Sequence, residues 1–332
     1  MTQKANLPKV VTVFGGSGFV GRHVVRALVK RGHRVRVAVR RPDLAIHLQP
    51  IGDVGQITAI QANLRHRWSV DRAVEGADAV INLVGILFES GKQTFSAVQE
   101  FGAKAVAEAC RDAGVPLVHM SAIGANVDGE AEYAKTKGRA EKAVLDTLGD
   151  RAIVMRPSII FGPEDDFFNK FADMARFSPA LPLIGGGTTK FQPVYVGDVA
   201  EAFARAVDGE VAGGRIYELG GPEVLTFREC LEEVLKITRR KRFFVNIPWW
   251  AAMMQGRILG MLPKPLLTTD QVTLLKRDNV VSAEADVDGR TLDAIGIKPA
   301  SVDAILPTYL WRYREAGQFT NPAAPSENGG TG

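Results

Sequence analysis

The chain has 332 residues, 46% of them hydrophobic and 23% charged, with a formal net charge of +4; this is long enough for one large core or two modest ones and excludes a wholly disordered chain. So mild a positive charge leaves no nucleic-acid partner expected, although the basic run Thr238–Arg242 could meet phosphate or anionic lipid. Cys110 and Cys230 stand apart from any Cys-x-x-Cys or His-rich setting, so neither a disulfide framework nor a structural metal site is expected, and the compartment is read as reducing.

The opening "MTQKANLPKVV" carries no apolar stretch ahead of its first strand, so no secretory signal is expected. "KVVTVFG" reads as a strand and "FVGRHVVRALVKRG" as the helix after it. Between them lie Gly15, Gly16, Ser17, Gly18, Phe19, Val20 and Gly21, which satisfy both Gly-x-x-Gly-x-x-Gly and Gly-x-Gly-x-x-Gly. Glycines here let the chain turn tightly, approach a pyrophosphate without a Cβ in the way and pack helix against strand, while N–H groups at the helix start face the anion. Strand, turn and helix agree, so the segment predicts dinucleotide binding.

The second strand, "HRVRVAVR", selects the nucleotide. An acidic residue at its end would hold a ribose 2′-hydroxyl, whereas Arg40 and Arg41 suit a 2′-phosphate. NADP(H) is therefore preferred, with NAD(H) left open because Asp43 stands nearby.

"QITAIQAN", "DAVINLVG" and "VPLVHMSA" continue as strands, with a helix from about Thr94 to Ala113 ended by Gly114. Strands alternating with helices predict an α/β fold, a doubly wound parallel sheet with helices on both faces. Next, "EYAKTKGRAEKAV" places Tyr133 and Lys137 four residues apart on one helix face, where an ammonium can lower the pKa of a phenol. Spacing alone does not decide between a proton-transfer pair and a binding clamp, since Tyr and Lys at i and i+4 also occur by chance on many solvated helices.

"AIVMRPSIIFG" is a further strand, and after Pro163 the rhythm breaks. "FSPALPLIGGG" reads as loop-rich, "FQPVYVGDVAEAFARAVDG" as a strand entering a helix, "GRIYELGG" as a strand, and everything from Leu225 as mostly helical. The expected division is residues 1–162 with 190–222 as the nucleotide domain, 163–189 with 223–317 as a smaller region, and 318–332 as a disordered tail. The stretch Ile247–Leu267 is apolar but broken by Gln255, Arg257 and three prolines, too short to span a bilayer. It suits a helix packed on the core, or an interfacial helix with Trp249, Trp250, Met253 and Met254 against a membrane or partner and Arg257 and Lys264 beside it.

With the glycine turn, Ser121 in "HMSAIGA", the Tyr133–Lys137 pair, "RPSIIFGP" and "PVYVGDVAEA", the chain resembles the extended or atypical branch of the short-chain dehydrogenase/reductase superfamily, which implies a Rossmann-type sheet. That resemblance assigns Tyr133 as acid or base, Lys137 to the nicotinamide ribose and Ser121 to the substrate oxygen, and matches Asn82 to an Asn-x-x-Gly segment. It extends the cofactor contacts to Asn63 and Leu64, to Leu83, Val84 and Gly85, and to Pro157, Ser158 and Ile160; Asn63 stands where many members carry aspartate. "HLQPIGDVGQ" (47–56), "PVYVGDV" and "LLTTDQVTLLKRDNVVS" (266–282) also resemble the nucleotide-binding accessory subunits of respiratory complex I and their alphaproteobacterial relatives. This narrower resemblance implies a nucleotide held without turnover, complex I subunits as partners, and a cytoplasmic site on the periphery of a bacterial inner membrane. An NADP(H)-dependent reductase, epimerase or dehydratase acting on a lipophilic, quinone-like or sugar-nucleotide substrate is the alternative.

Overall fold

The computed structural model describes residues 7–262, 265 and 267–315; the tail 318–332 and Lys264 lie outside the described residues. Its first half alternates β1 (Val10–Phe14), α1 (Phe19–Lys30), β2 (Arg34–Val39), β3 (Ile57–Gln61), α2 (Arg67–Val74), β4 (Ala79–Asn82), α3 (Phe101–Ala113), β5 (Leu117–Met120), α4 (Glu132–Leu148) and β6 (Ala152–Pro157). Then follow β7 (Ile160–Phe161), α5 (Phe168–Phe177), β8 (Ala180–Ile184), β9 (Lys190–Phe191), β10 (Val194–Tyr195), α6 (Val196–Asp208) and β11 (Arg215–Leu219). The last part comprises β12 (Leu225–Thr226), α7 (Phe227–Thr238), β13 (Phe243–Ile247), α8 (Trp249–Leu259), α9 (Thr269–Leu274), α10 (Ala283–Val287), α11 (Val302–Ile305) and α12 (Pro307–Leu310).

Seven strands form one parallel sheet in the order β11-β6-β5-β4-β1-β2-β3, so the Rossmann-type doubly wound sheet is present. Runs such as "VVTVF" succeed here because β-branched side chains pack on both faces of a buried parallel strand. On one face, Val24, Val25 and Leu28 of α1 join Val199 and Phe203 of α6 in a single apolar layer with Val11, Val13 and Val37. On the other, Val70, Val106 and Val144 from α2, α3 and α4 cover Phe14, Val80 and Val154. The direction of winding reverses between β4 and β1, which opens a crevice beyond their carboxyl ends, directly above the glycine turn.

The expected helix from Thr94 begins with a π-helical turn, Ser96–Glu100, before α3, and Gly114 ends it in a left-handed conformation. The stretch after Pro163 departs from the loop-rich reading: it contains α5 and β8. Strand β8 pairs in parallel with β13, itself hidden inside the region read as helical, and Pro182 stands opposite Val245. A two-stranded sheet has only edge strands, so a proline that lacks an N–H is tolerated there.

The helix in the apolar stretch, α8, turns Ala252 and Gly256 inward and Trp250, Met254 and Ile258 outward, 71%, 53% and 61% exposed. Four-residue spacing puts those three side chains in one stripe. Helix α8 is thus packed on the core along one side, where Trp249 and Met253 join Ala252 rather than the exposed stripe; no helix among the described residues is long and apolar enough to cross a membrane.

Two phenylalanines make the packing testable. Phe203 is fully buried and Phe243 is 80% exposed. Phe203→Ala is expected to cost about 3–5 kcal/mol in chemical denaturation, whereas Phe243→Ala should stay within about 0.5 kcal/mol.

Candidate functional site

The sequence-predicted residues converge on the carboxyl edge of the sheet. Gly15 adopts φ +80°, and a Cβ there would lie 3.3 Å from the Leu83 carbonyl carbon and the Val84 nitrogen, so the glycine turn presses on the segment leaving β4. A Cβ on Gly21 would fall 2.3 Å from the Gly15 oxygen, an approach only glycine permits. Gly18 is exposed, with only the Gly15 oxygen near its absent Cβ, at 3.4 Å. Ser17 and Phe19 are half-buried and Val20 packs into the core beneath. Gly85 comes next to the pair, since a Cβ on it would sit 3.4 Å from Lys137 Nζ.

Tyr133 and Lys137 lie on the first turns of α4, with Lys137 Nζ 6.0 Å from the Tyr133 ring centre and the ring edge-on to Phe95. The ammonium donates to the Met120 carbonyl oxygen at 3.0 Å. Burial lowers Lys137 to about 8, opposed by the charge of Glu141. The expectation that the ammonium lowers the phenol is not met. Burial pushes Tyr133 up to about 12, and the carboxylate of Asp270 pushes the same way.

Ser121 is buried and its hydroxyl has no hydrogen-bond partner among the described residues. Two residues earlier on β5, the His119 ring is also buried, and burial followed by the charge of Lys137 lowers it to about 3, so it is neutral. The Asn82 amide donates to its Nδ1 at 3.3 Å, which leaves the proton on Nε2, and Nε2 has no acceptor. Arg22 Nε, one turn beyond Gly18, is likewise buried without an acceptor. Each unsatisfied buried group costs about 1–3 kcal/mol, so donors gathered at one edge fit a polar ligand. The residues present therefore fit a dinucleotide: a Cβ-free turn for the pyrophosphate and buried donors beyond it.

Other candidates differ in availability. Arg41 is paired with Asp43 at 2.8 Å, both exposed, while Arg40 is exposed at the end of β2 with no ion pair among the described residues. Asn63 accepts from the Arg65 N–H at 3.2 Å, and Leu64 packs against Gly102. Pro157 and Ile160 flank the crevice on β6 and β7, but the Ser158 hydroxyl is committed to Asn279, donating to its Oδ1 at 2.6 Å. A depression of about 790 Å3 lies elsewhere, beside edge strand β3 where Ile46, Gln49 and Val54 line it. It holds none of the unsatisfied buried donors.

Sequence reasoning missed two residues of the site. Asp270 accepts from the backbone N–H groups of Glu132 and Tyr133 at 2.7 and 3.0 Å. Asn279 accepts from the Ile159 N–H and donates to the Ile123 carbonyl. The only local signal was the capping pattern Thr268-x-x-Gln271, which marks a helix start and not what that helix touches.

Lys137 gives a pH test. Its ordinary value of 10.5 falls to about 8 on folding, so between these the unfolded chain holds the extra proton and stability rises with pH. From pH 8 to 9.5, below the ordinary tyrosine value of 10, the rise should total about 2 kcal/mol, and Lys137→Met should flatten it in denaturation curves.

Residues 12–209 match the 3-beta hydroxysteroid dehydrogenase/isomerase family. Over 321 residues the chain is 34% identical to NADH dehydrogenase (ubiquinone) 1 alpha subcomplex subunit 9, mitochondrial, of Arabidopsis thaliana, covering 93% of this chain and 79% of that one. It is 32% identical over 191 residues, 58% of each chain, to a ceramide reductase of Caulobacter vibrioides. Among solved structures, an NADPH-dependent quinone oxidoreductase of Escherichia coli complexed with NADPH superposes with a TM-score of 0.70 at 18% identity, covering 91% of this chain and 99% of that one. The chain belongs to the 3-beta hydroxysteroid dehydrogenase/isomerase family, among the extended short-chain dehydrogenase/reductases.

Proposed function

We propose that the protein is an accessory or assembly subunit of respiratory complex I that holds NADP(H) structurally, on the cytoplasmic periphery of a bacterial inner membrane. The observation that carries this reading is kinship over 93% of the chain with a subunit of NADH dehydrogenase (ubiquinone), which takes in the segment 266–282 that nucleotide binding alone does not require. The stripe of Trp250, Met254 and Ile258 on α8 supplies an apolar face for a neighbouring subunit or lipid. In this reading residues 1–162 and 190–222 hold the nucleotide, and 163–189 with 223–317 meet the partner. Glycines 15, 16, 18 and 21 take the pyrophosphate and Arg40 the 2′-phosphate. Tyr133 and Lys137 hold the ribose. A phenol pushed up to about 12 is a poor proton shuttle at neutral pH but a sound hydrogen-bond donor, which suits a clamp.

A second reading is favoured by the unpartnered Ser121 hydroxyl and by kinship with a ceramide reductase: an NAD(P)H-dependent reductase, epimerase or dehydratase acting on a lipophilic, quinone-like or sugar-nucleotide substrate. A bound nicotinamide supplies hydride chemistry. Tyr133 Oη would donate the proton to the substrate oxygen, Ser121 Oγ would hold that oxygen, and Lys137 would keep its donors on the ribose.

Mild-detergent capture of the tagged protein from its native membranes separates the two. Stoichiometric recovery of complex I subunits is expected, and a protein that comes away alone overturns the accessory reading. Tyr133→Phe should leave that recovery intact; in the enzyme reading it would instead cut turnover by about 10²–10⁴. For the nucleotide, Arg40→Ala should weaken NADPH relative to NADH roughly tenfold, about 1.4 kcal/mol, in calorimetric titration; an unchanged ratio removes the NADP(H) preference.

A further inference from the structure

Helix α4 cannot cap itself. The residue before it, Ala131, has no acceptor, and its first two N–H groups, on Glu132 and Tyr133, are taken instead by both carboxylate oxygens of Asp270, more than a hundred residues further along the chain. An anion at a helix start satisfies orphan donors and sits favourably against the helix dipole. Asp270 is itself rigidly presented: Thr268 accepts from the Gln271 N–H and the Gln271 side chain accepts from the Thr268 N–H, closing a capping box around it. On its other side, α9 is bound to α8 by backbone contact, since a Cβ on Gly256 would lie 3.0 Å from the carbonyl carbon of Thr268 and the nitrogen of Thr269. An unbroken run of contacts thus leads from the exposed stripe of α8 through Gly256, Thr268 and Asp270 to Tyr133.

We propose that Asp270 is a positioning residue that couples the nucleotide site at Tyr133 to helix α8, so that nucleotide binding and the order of α8 rise and fall together. The inference rests on the nucleotide reading above. Because α4 carries both Tyr133 and Lys137, setting its first turn sets where both side chains lie. Asp270 accepts hydrogen bonds from backbone N–H groups in that turn and bears on the Tyr133 phenol through its charge, so it acts through the pair. Coupling through one carboxylate is reciprocal: whatever immobilises α8 tightens the nucleotide site by the same factor that the nucleotide tightens α8.

The test is amide hydrogen exchange on the full chain with and without NADPH, together with calorimetric NADPH affinity, for the wild type, Asp270→Ala and Asp270→Asn. In the wild type NADPH should slow exchange at Glu132 and Tyr133 and also across α8 and α9. In Asp270→Ala the affinity should fall roughly tenfold, on the scale of a lost helix cap, and the NADPH-dependent protection of α8 should vanish. Asp270→Asn keeps the shape and one acceptor, so it carries the test if the alanine variant does not fold, and its effects should be intermediate. If Asp270 only adds stability, the variants melt earlier while NADPH still protects α8 and binds as before, and the coupling is overturned. A wild type that binds neither NADPH nor NADH overturns the nucleotide reading itself, a result distinct from intact binding without coupling.

Discussion

The close approach of Gly21 to the Gly15 carbonyl oxygen sets the geometry on which the rest of the molecule depends. A helix that starts so near the end of β1 brings its N–H groups to the point where the sheet changes its direction of winding. Any side chain at Gly21 would lever α1 away, and with it the apolar layer that α1 shares with α6. The glycine turn also presses on Leu83 and Val84, which fixes the exit of β4 and leaves Gly85 against Lys137. One missing methyl group therefore aligns a helix, a turn and a lysine.

Around that turn the polar groups are arranged as donors in want of acceptors. Among the described residues Ser121 Oγ, His119 Nε2 and Arg22 Nε are buried without partners, and the buried Lys137 ammonium donates to the Met120 carbonyl oxygen. Leaving such groups unsatisfied destabilises the free chain by about 1–3 kcal/mol each, which an oxygen-rich ligand in reach of them would relieve. A ligand that satisfied them would link stability to occupancy by mass action, whether or not it ever reacted.

Much of the first half was legible because its signals are local. Alternating β-branched runs such as "RVRVAV", the glycines of residues 15–21 and the stop at Gly114 each state their role within a few residues. Strands β8 and β13 were not legible: prolines obscured the former, and the latter stands beside long helical patterns although "FFVNI" alternates weakly. The roles of Asp270 and Asn279 were hidden for a different reason. A capping carboxylate normally precedes its helix by a residue or two, and no local pattern announces one that arrives from the far end of the chain. The α8 stripe was readable as apolar, but hydrophobicity alone does not say which side faces solvent. The pKa of Tyr133 was misjudged because spacing revealed the ammonium and concealed both the burial and the opposing carboxylate.

Asn279 carries a consequence for the order in which the molecule is made. Its amide joins the loop after β5, at Ile123, to the loop after β6, at Ser158, across sequence separations of 156 and 121 residues. At ribosomal rates of about 5–20 residues per second, the crevice-lining ends of β5 and β6 exist for roughly 6–30 s before the residue that fastens them is synthesised. The residues of the glycine turn, by contrast, are made near the very start of translation. A nascent chain therefore carries the residues of its glycine turn long before the residue that ties down the far wall of the crevice has been made.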